Sequence, residues 1–298
     1  MVRLRMASMD DWEDDKILLD FLAKQQARGS LTLILGAGMS SHFGLPSWPK
    51  LIKRLFASKG SPAPKKDAKR QAEDYRSTYF PGDVPGFLAD VKSSLYRDVK
   101  VDFGSMRSHN SLAAIASLAM GSRRVGVSEI VTFNFDDLLE IYLEYHGFVT
   151  VSVGDRTYWS KSGDVTVLHP HGLLPRSSRR TASADIVFDQ YSYTEAIGTK
   201  GSAWRQLLLS IMRTHTCLFI GLSGDDDNLD SLLERCGKQH ASRLDNSLFW
   251  GVAFSTTDKN ARFWKRRGIF LKRVADYDQA LAQFLFKICQ GAAEIRSA

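Results

Sequence analysis

The sequence predicts an α/β fold, a Rossmann-like parallel sheet with helices on both faces and a smaller helical insertion lobe. Short, continuously apolar runs alternate with helical patterns along most of the 298 residues. Such runs are typical of parallel strands that are buried on both faces and covered by the intervening helices. We predict strands over Leu31–Leu35, 127–133, 150–153, 164–169, 185–188, 217–222, 248–254 and 269–274.

The helices are indicated by apolar residues at three- and four-residue spacings. The first helix, over 11–28, has acidic residues at its start and basic residues at its end, which suits the helix dipole. Gly29 follows as a stop signal. Further helices are predicted over 136–145, 202–212 and 228–235.

Two segments depart from this alternation. Residues 50–120 are mostly helical, with a lysine- and proline-bearing loop at 57–70. This pattern predicts a helical lobe inserted into a single domain that spans 1–298. Residues 176–184 are polar, basic and poor in apolar anchors, so we expect a mobile loop there.

Composition restricts the class of protein. The apolar fraction is 44%, and no apolar run approaches the ~18 residues that a membrane span requires. The N-terminus lacks the apolar core of a secretion signal, so we expect a cytoplasmic protein. Cys217, Cys236 and Cys289 lie far apart without zinc-ribbon spacing, which predicts reduced thiols.

The net charge of +7 is concentrated in three basic clusters, at 65–70, 176–180 and 265–267. Such clusters are typical of a solvated surface. A surface for nucleic acid or another polyanion is the alternative, although no aromatic residues interleave with the basic ones.

The first motif is a turn of small residues after the first strand. Gly36-Ala37-Gly38 follows Leu35, and Ser40 comes next. Glycines let a backbone approach a pyrophosphate, and a following helix start offers free N–H groups. Tight packing of a strand on a helix would explain the same glycines. The full GxGxxG spacing is absent, and so is a ribose-binding acid at the usual distance.

Polar residues also end the strand predicted over 127–133. Thr132, Asn134, Asp136 and Asp137 lie where ligands gather in an open α/β sheet, at the carboxyl ends of strands. The Asn134 side chain offers a donor and an acceptor, which can orient a hydroxyl or a water. Either aspartate could instead cap the next helix.

Two histidines follow the strand predicted over 164–169. His169 and His171 are two apart, so on an extended segment they would share a face. A histidine titrates near neutral pH and can serve as a general base. A hydrogen-bonded structural role is the alternative for each, and a metal-binding pair is a third reading, although two ligands do not make a site.

A fourth cluster follows the strand predicted over 217–222. Gly221 and Ser223 end that strand, and Asp226 precedes a helix. Ser223 and Asp226 could bind a ribose or a phosphate, whereas Asp226 could equally cap the helix. Four strand-end clusters in one chain indicate a ligand site at that edge of the sheet.

The order of these motifs resembles the sirtuin superfamily. GAGMS with GLPSW, then TFNFD, then HPHG, then GLSGDDDNL follow one another between about Leu31 and Leu232. The closer resemblance is to the bacterial branch of NAD-hydrolysing effectors in anti-phage defence.

The resemblance implies roles for particular residues. The NAD pyrophosphate would be lined by Gly36, Ala37, Gly38 and Ser40. Asn134 and Asp136 match the polar pair around the nicotinamide ribose, and we count Thr132 with the NAD-binding residues. His171 matches the catalytic histidine, with Asn134 as its catalytic partner. Those near the adenosine half would be Gly221, Ser223 and Asp226.

The chain also departs from the deacylating sirtuins. It lacks their four-cysteine zinc module, and Pro46 is followed by Ser47 and Trp48 instead of an acid-aromatic-Arg sequence. Both departures favour water as the acceptor. We therefore expect an NAD⁺ hydrolase that releases nicotinamide and ADP-ribose, needs no metal and depletes cellular NAD when triggered.

Unrestrained NAD⁺ hydrolysis would poison the host, so we expect control by homo-oligomerisation or by a separate sensor or ATPase partner. Segments 50–120 and 176–184 are the candidates for gating the site. Two other functions stay open. One is an NAD- or ADP-ribose-binding regulatory module without catalysis. The other is a metal-dependent nuclease that would use the acidic run Asp225, Asp226, Asp227 and Asp230.

Overall fold

The computed structural model of the protein describes residues 12–65, 67–120, 126–154, 163–222, 227–243 and 249–297. For residues 227, 228 and 239–243 it describes the backbone. Every helix, strand and contact given for the protein lies within these residues.

Seven strands form one parallel sheet, which confirms the predicted Rossmann-like α/β class. The strands are β1 (Leu31–Leu35), β2 (Glu129–Thr132), β3 (Thr150–Val153), β4 (Val165–Leu168), β5 (Thr216–Ile220), β6 (Gly251–Ser255) and β7 (Ile269–Arg273). Their order in the sheet is β3-β4-β2-β1-β5-β6-β7. In this order the carboxyl ends of β1 and β2, from which the first two motifs emerge, are neighbours.

One predicted strand is wrong. Residues 185–188 form no strand, although Ile186 and Phe188 are buried as an apolar run requires. Phe188 instead packs against Trp48 and Phe87, with ring centroids 4.8 and 4.9 Å apart. The apolar side chains of this run are therefore buried by aromatic contacts and not by pairing in the sheet.

Twelve α-helices lie among the described residues. They are α1 (Asp15–Ala27), α2 (Trp48–Ser58), α3 (Ala68–Tyr79), α4 (Val84–Tyr96), α5 (Phe103–Arg107), α6 (Asn110–Ala119), α7 (Leu138–Tyr145), α8 (Gln190–Tyr193), α9 (Ala203–Thr214), α10 (Asp227–Arg243), α11 (Ala261–Arg266) and α12 (Gln279–Ser297). None of them is long and apolar enough to cross a membrane.

The described residues fall into two compact units. The first unit lies within 1–34, 107–130 and 207–298, and the second lies within 35–106 and 131–206. The predicted helical segment 50–120 is indeed mostly helical, but its helices are divided, since α2 to α5 belong to the second unit and α6 to the first. That the whole chain acts as one domain stays a prediction.

The first unit is built on strands β5 to β7 and on the packing of α12 against α1 and α6. Asp14 starts α1 by accepting the N–H of Lys16. The Gln26 side chain, buried within this packing, donates to the carbonyl of Leu118 at 2.6 Å. The NH₂ group of this buried amide is thus satisfied where α12 covers α1 and α6, whereas its oxygen Oε1 has no hydrogen-bond partner among the described residues.

The second unit contains the candidate site. Helix α2 packs against α3 and α4, and β3 pairs with β4 in parallel from Thr150↔Val165 to Val153↔Leu168. Helix α7 contacts β3. On its inward face, a fully buried acid, Glu140, lies among leucines.

Candidate functional site

The chain leaves β1 through an irregular turn. Gly36 is extended and buried, and a single 3₁₀ turn (Ala37–Met39) leads to Ser40. Ala37 and Gly38 are exposed, so the backbone at this point reaches the surface with almost no side chain over it. The close approach expected of a pyrophosphate is therefore sterically open. The expected helix start is not there, because a second 3₁₀ turn (Ser41–Phe43) intervenes before α2.

The glycine at position 44 ends the second 3₁₀ turn for a steric reason. Its φ of +86° is in the left-handed region, and a Cβ there would lie 3.0 Å from the carbonyl oxygen of Asp98. A glycine is therefore required to turn the chain into α2.

The turn after β1 and the segment after β2 are joined by hydrogen bonds. Asn134 Nδ2 donates to the carbonyl of Gly36 and to Ser40 Oγ, both at 3.1 Å. Ser40 Oγ in turn donates to Asp136 Oδ1 at 3.1 Å. The Asn134 main-chain N–H contacts Thr132 Oγ1 at 3.2 Å. Five of the predicted site residues therefore form one cluster, and we call Gly36, Ser40, Thr132, Asn134 and Asp136 the strand-end cluster.

Both hydrogens of the Asn134 amide are used within this cluster. The donors go to Gly36 and Ser40. In the described part of the chain, no group donates to the amide oxygen Oδ1. The group that Asn134 can offer to a ligand is therefore an acceptor, held in a fixed direction by its own two donated hydrogen bonds.

Asp136 belongs to the strand-end cluster and also contacts the start of the next helix. Its Oδ1 accepts from Ser40 and also from the N–H of Leu138, at the start of α7. The carboxyl is buried, and this burial raises its pKa to about 6, although the hydrogen bonds from Ser40 and Leu138 act in the opposite direction. Asp136 is thus both a cap and a member of the strand-end cluster.

We expect Asp136→Asn to stabilise the protein at pH 7. The folded-state pKa of about 6 exceeds the ordinary 3.8, so the folded state binds more protons than the unfolded chain between those values. Stability therefore falls as pH rises through this window, and the buried charge costs about 2–3 kcal/mol above it. The amide keeps the acceptor atom and removes the charge. Urea unfolding should show a gain of about 1–3 kcal/mol at pH 7 that shrinks toward pH 4. A loss of stability at pH 7 would refute the assignment of a buried charge.

Asp137 has a separate, structural role. It is fully buried, and its two oxygens accept the N–H groups of Arg176 and Ser177 at 2.7 and 3.1 Å. Arg180 Nη1 donates to the same carboxylate at 2.9 Å, and its other terminal nitrogen contacts Glu144. The carboxylate is therefore held by three donors from one segment.

These contacts anchor segment 176–184, which the sequence predicts to be mobile. Besides the anchors on Asp137, the buried Ser183 exchanges hydrogen bonds with Leu173, at 2.8 Å to its carbonyl and 2.9 Å from its N–H. The expected mobile loop is thus tied down at both ends in this structure. The anchors are polar, which is why a search for apolar residues missed them.

The two histidines after β4 do not share a face, contrary to the prediction. Strand β4 ends at Leu168, and the N–H of Gly172 donates to the carbonyl of His169 at 2.9 Å, which closes a tight turn. His169 is fully buried, whereas His171 is half-buried. The pair therefore has two different environments and two different roles.

His171 contacts Phe133, which lies between Thr132 and Asn134 of the strand-end cluster in sequence. Its ring is 4.8 Å from that of Phe133, and its carbonyl accepts the N–H of Val187 at 2.8 Å. Gly172 has a φ of +93°, and a Cβ there would come within 2.9 Å of Ile186. The glycine lets segment 185–188 pack directly against the histidine's backbone, which fixes its position.

The fourth motif is described only in part. Gly221 is half-buried just past β5, in the first unit. Ser223 and Asp226 lie outside the described residues, as does Asp225 of the proposed nuclease cluster. Asp230 of that cluster is ion-paired with Arg267. Within the described ranges, no group of three or more His, Cys, Asp or Glu side chains is placed to hold a metal ion.

Sequence reasoning missed the charged residues beneath the site. Glu140 and Glu144 of α7 were not singled out, and Arg180 was named only as part of the basic cluster 176–180. A signal was present, because Asp137, Glu140 and Glu144 are spaced three and four residues apart and so share one face of a helix. An acidic face on an otherwise apolar helix indicates buried partners of opposite charge.

Comparisons with known proteins agree with the motifs. Residues 128–271 match the family model of the SIR2-like domain. The NAD(+) hydrolase ThsA of Acinetobacter baumannii (strain 532279) is 25% identical over 228 residues, which cover 74% of this chain and 42% of ThsA. The chain thus spans less than half the length of that relative.

A solved structure described as a Sir2 homolog–NAD complex has the same fold. The two chains superpose with a TM-score of 0.50 at 13% identity, over 93% of this chain and 94% of the other. Residues 128–271 therefore match a SIR2-like domain in sequence, which confirms the resemblance of this chain to the sirtuin superfamily.

Proposed function

We propose that the protein is an NAD⁺ hydrolase that breaks the bond between nicotinamide and ribose and releases ADP-ribose. The observation that carries the proposal is the strand-end cluster, in which Gly36, Ser40, Asn134 and Asp136 are linked by hydrogen bonds at the carboxyl ends of neighbouring strands. In an open α/β sheet this edge is where nucleotides bind. The similarity to an NAD(+) hydrolase supports NAD as the nucleotide.

The reaction needs no general acid. Cleavage of a glycosidic bond passes through an oxocarbenium-like transition state. The nicotinamide of NAD⁺ already carries a positive charge and leaves as a neutral molecule, so no proton has to be supplied to it. The protein must instead hold the ribose, exclude bulk water and orient the attacking water.

The residues of this chain fit those tasks. Ala37 and Gly38 leave the backbone after β1 open to the pyrophosphate, as an exposed turn of small residues allows. Asn134 presents Oδ1 as an acceptor for a ribose hydroxyl or for the attacking water. His171 accepts the proton that the water loses. Thr132 accepts the main-chain N–H of Asn134, and Asp136 accepts the hydroxyl of Ser40, so both hold the cluster in place. Gly221, Ser223 and Asp226 remain the candidates for the adenosine half.

We expect Asn134→Ala to reduce NAD⁺ turnover by about 10²-fold, because misplaced reacting groups cost this much. Free nicotinamide, measured by chromatography after incubation of NAD⁺ with the whole chain, gives the rate. Asn110→Ala is a matched control, since the Asn110 amide donates to Asp278 in the first unit and should leave turnover unchanged. Near wild-type turnover in folded Asn134→Ala would remove this residue from the mechanism.

The same assay separates the other functions. NAD⁺ that binds but stays intact would indicate a regulatory binding module. Loss of activity with a chelator would indicate a metal-dependent hydrolase, because the proposed mechanism routes no step through a metal.

The proposed role is an effector of bacterial anti-phage defence that acts in the cytoplasm and lowers cellular NAD when triggered. We propose that a homo-oligomer or a separate sensor or ATPase partner controls it. Turnover that rises with protein concentration, or on addition of a partner, is the expected result. A monomer that works at full rate under all conditions would contradict this control.

A further inference from the structure

A buried histidine–glutamate pair lies next to the strand-end cluster. His169 and Glu140 both have fully buried side chains, and His169 Nε2 is 2.8 Å from Glu140 Oε1. The other ring nitrogen, Nδ1, is 3.0 Å from the main-chain carbonyl oxygen of Asn134. The imidazole therefore bridges α7 and the residue whose side chain organises the cluster.

The partner atoms restrict where the protons are. A main-chain carbonyl only accepts, so Nδ1 must carry a hydrogen. One further proton is shared between Nε2 and Glu140, which gives either an imidazolium with a carboxylate or a neutral ring with a carboxylic acid.

The surroundings favour the charged form. Ser152 Oγ also donates to Glu140 Oε1, at 2.8 Å, and a carboxylate oxygen accepts two such hydrogen bonds more strongly than an acid hydroxyl. Glu140 Oε2 is buried without a hydrogen-bond partner among the described residues, so in the acid form the proton would lie on Oε1, facing Nε2. Among the neighbouring charges, Arg180 favours the carboxylate and Asp136 favours the imidazolium.

The pKa directions agree with this geometry. Burial alone would lower the pKa of His169, but the charge of Glu140 and its hydrogen bond outweigh burial and raise it. Burial alone would raise the pKa of Glu140, but the charge and hydrogen bond of His169, the hydrogen bond from Ser152 and the charge of Arg180 together lower it. The remaining titratable group that faces the pair is Tyr96 of α4, which burial and the nearby acids hold protonated with a pKa well above its ordinary value.

We infer that His169 is a positioning residue for the reaction: as an imidazolium anchored on Glu140, it donates Nδ1–H to the carbonyl of Asn134 and holds Asn134 so that Oδ1 faces the ligand. The effect of this positioning on catalysis rests on the proposed function. The ion pair itself does not depend on that function.

The pair also defines a pH window of stability. The contribution of His169 is complete below its ordinary pKa of 6.5 and is lost as pH rises through the higher folded-state pKa. The contribution of Glu140 is complete above its ordinary pKa of 4.5 and is lost as pH falls through the lower folded-state pKa. The pair therefore stabilises the fold fully between those two ordinary values.

Nuclear magnetic resonance of the whole chain tests the ion pair without any assay of activity. With ¹⁵N-labelled histidine, His169 should carry hydrogens on both ring nitrogens at pH 7. In Glu140→Gln, the Nε2 hydrogen of His169 should be lost at pH 7 and the Nδ1 hydrogen retained. A neutral His169 in the wild-type protein at pH 7 would overturn the inference.

Two double variants test positioning. At position 169, the amide nitrogen of an asparagine can occupy the place of Nδ1, whereas that of a glutamine can occupy the place of Nε2. The double variant His169→Asn with Glu140→Gln therefore keeps the donor to the Asn134 carbonyl. The double variant His169→Gln with Glu140→Gln removes that donor. The two proteins have equal charge. We expect kcat of the first to stay within about 10-fold of wild type and that of the second to fall by about 10²-fold.

Equal kcat in two folded double variants would overturn the positioning role. If either fails to fold, the side-chain amide resonance of Asn134 in Glu140→Gln decides. The neutral ring of that variant donates a weaker hydrogen bond to the Asn134 carbonyl than the imidazolium does, so a role in positioning requires the Asn134 resonance to shift. If the wild-type protein releases no nicotinamide, the proposed function fails, and the two resonance measurements still decide the ion pair and its hold on Asn134.

Discussion

Replacing His171 with alanine should lower NAD⁺ turnover by about 10²–10⁴-fold, the usual contribution of a positioned proton acceptor. The residue is held in place by its backbone, because its carbonyl accepts from Val187 and its ring lies against Phe133. Its side chain is half-buried, so the fold does not depend on it as it does on His169. The rate of nicotinamide release under saturating NAD⁺ measures the effect.

A matched control is His215→Ala in the first unit, which removes a half-buried histidine whose ring contacts Thr214. Its turnover should equal that of the wild-type protein. If folded His171→Ala keeps near wild-type turnover, another group takes the proton and the mechanism proposed here is wrong.

The largest effect on stability is expected from Arg180→Ala. Its guanidinium is 9% exposed and pairs with Asp137, which is fully buried, and with Glu144. Removing one partner of a buried ion pair leaves the other charge without compensation, and such changes cost about 3–5 kcal/mol. Asp137 keeps the N–H groups of Arg176 and Ser177, so we expect a loss of about 3 kcal/mol in the free energy of unfolding, measured by urea titration.

The neighbouring Arg179 supplies the control, because it is exposed and of the same charge. Arg179→Ala should change stability by less than about 0.5 kcal/mol. A similar small change in Arg180→Ala would show that the pair with Asp137 does not anchor segment 176–184, and mobility of that segment would again be the better description.

The strands were predictable because their apolar runs are continuous. Leu31–Leu35 and Thr150–Val153 have the predicted bounds, and the other confirmed strands differ from their predictions by a few residues at the ends. Segment 185–188 failed because an apolar run indicates burial and not pairing. Its side chains are buried by aromatic rings contributed by α2 and α4, and no local pattern reveals such partners.

The strand-end cluster was predictable for a topological reason. Carboxyl ends of neighbouring parallel strands meet at one edge, so Ser40 and Asn134 were expected near each other although they are 94 positions apart in sequence. The direction of the Asn134 amide could not be predicted, because it depends on the carbonyl of Gly36. That direction is what leaves an acceptor for the ligand.

The charged residues beneath the cluster were harder to predict. Arg180 meets Asp137 across 43 positions of sequence, in a segment whose composition indicates a loop. His169 meets Glu140 across 29 positions, and a single histidine between apolar residues does not reveal its partner. The spacing of acids along α7 indicates that partners exist, and only the fold identifies them.

The most direct test of the central claim is the fate of NAD⁺ incubated with the purified whole chain at low and high protein concentration. We predict that nicotinamide and ADP-ribose, linear or cyclic, appear in equal amounts as NAD⁺ disappears, and that Asn134→Ala and His171→Ala form them at least about 10²-fold more slowly. NAD⁺ that remains intact with folded wild-type protein at every concentration, and also in extracts of cells that express it, would contradict the account.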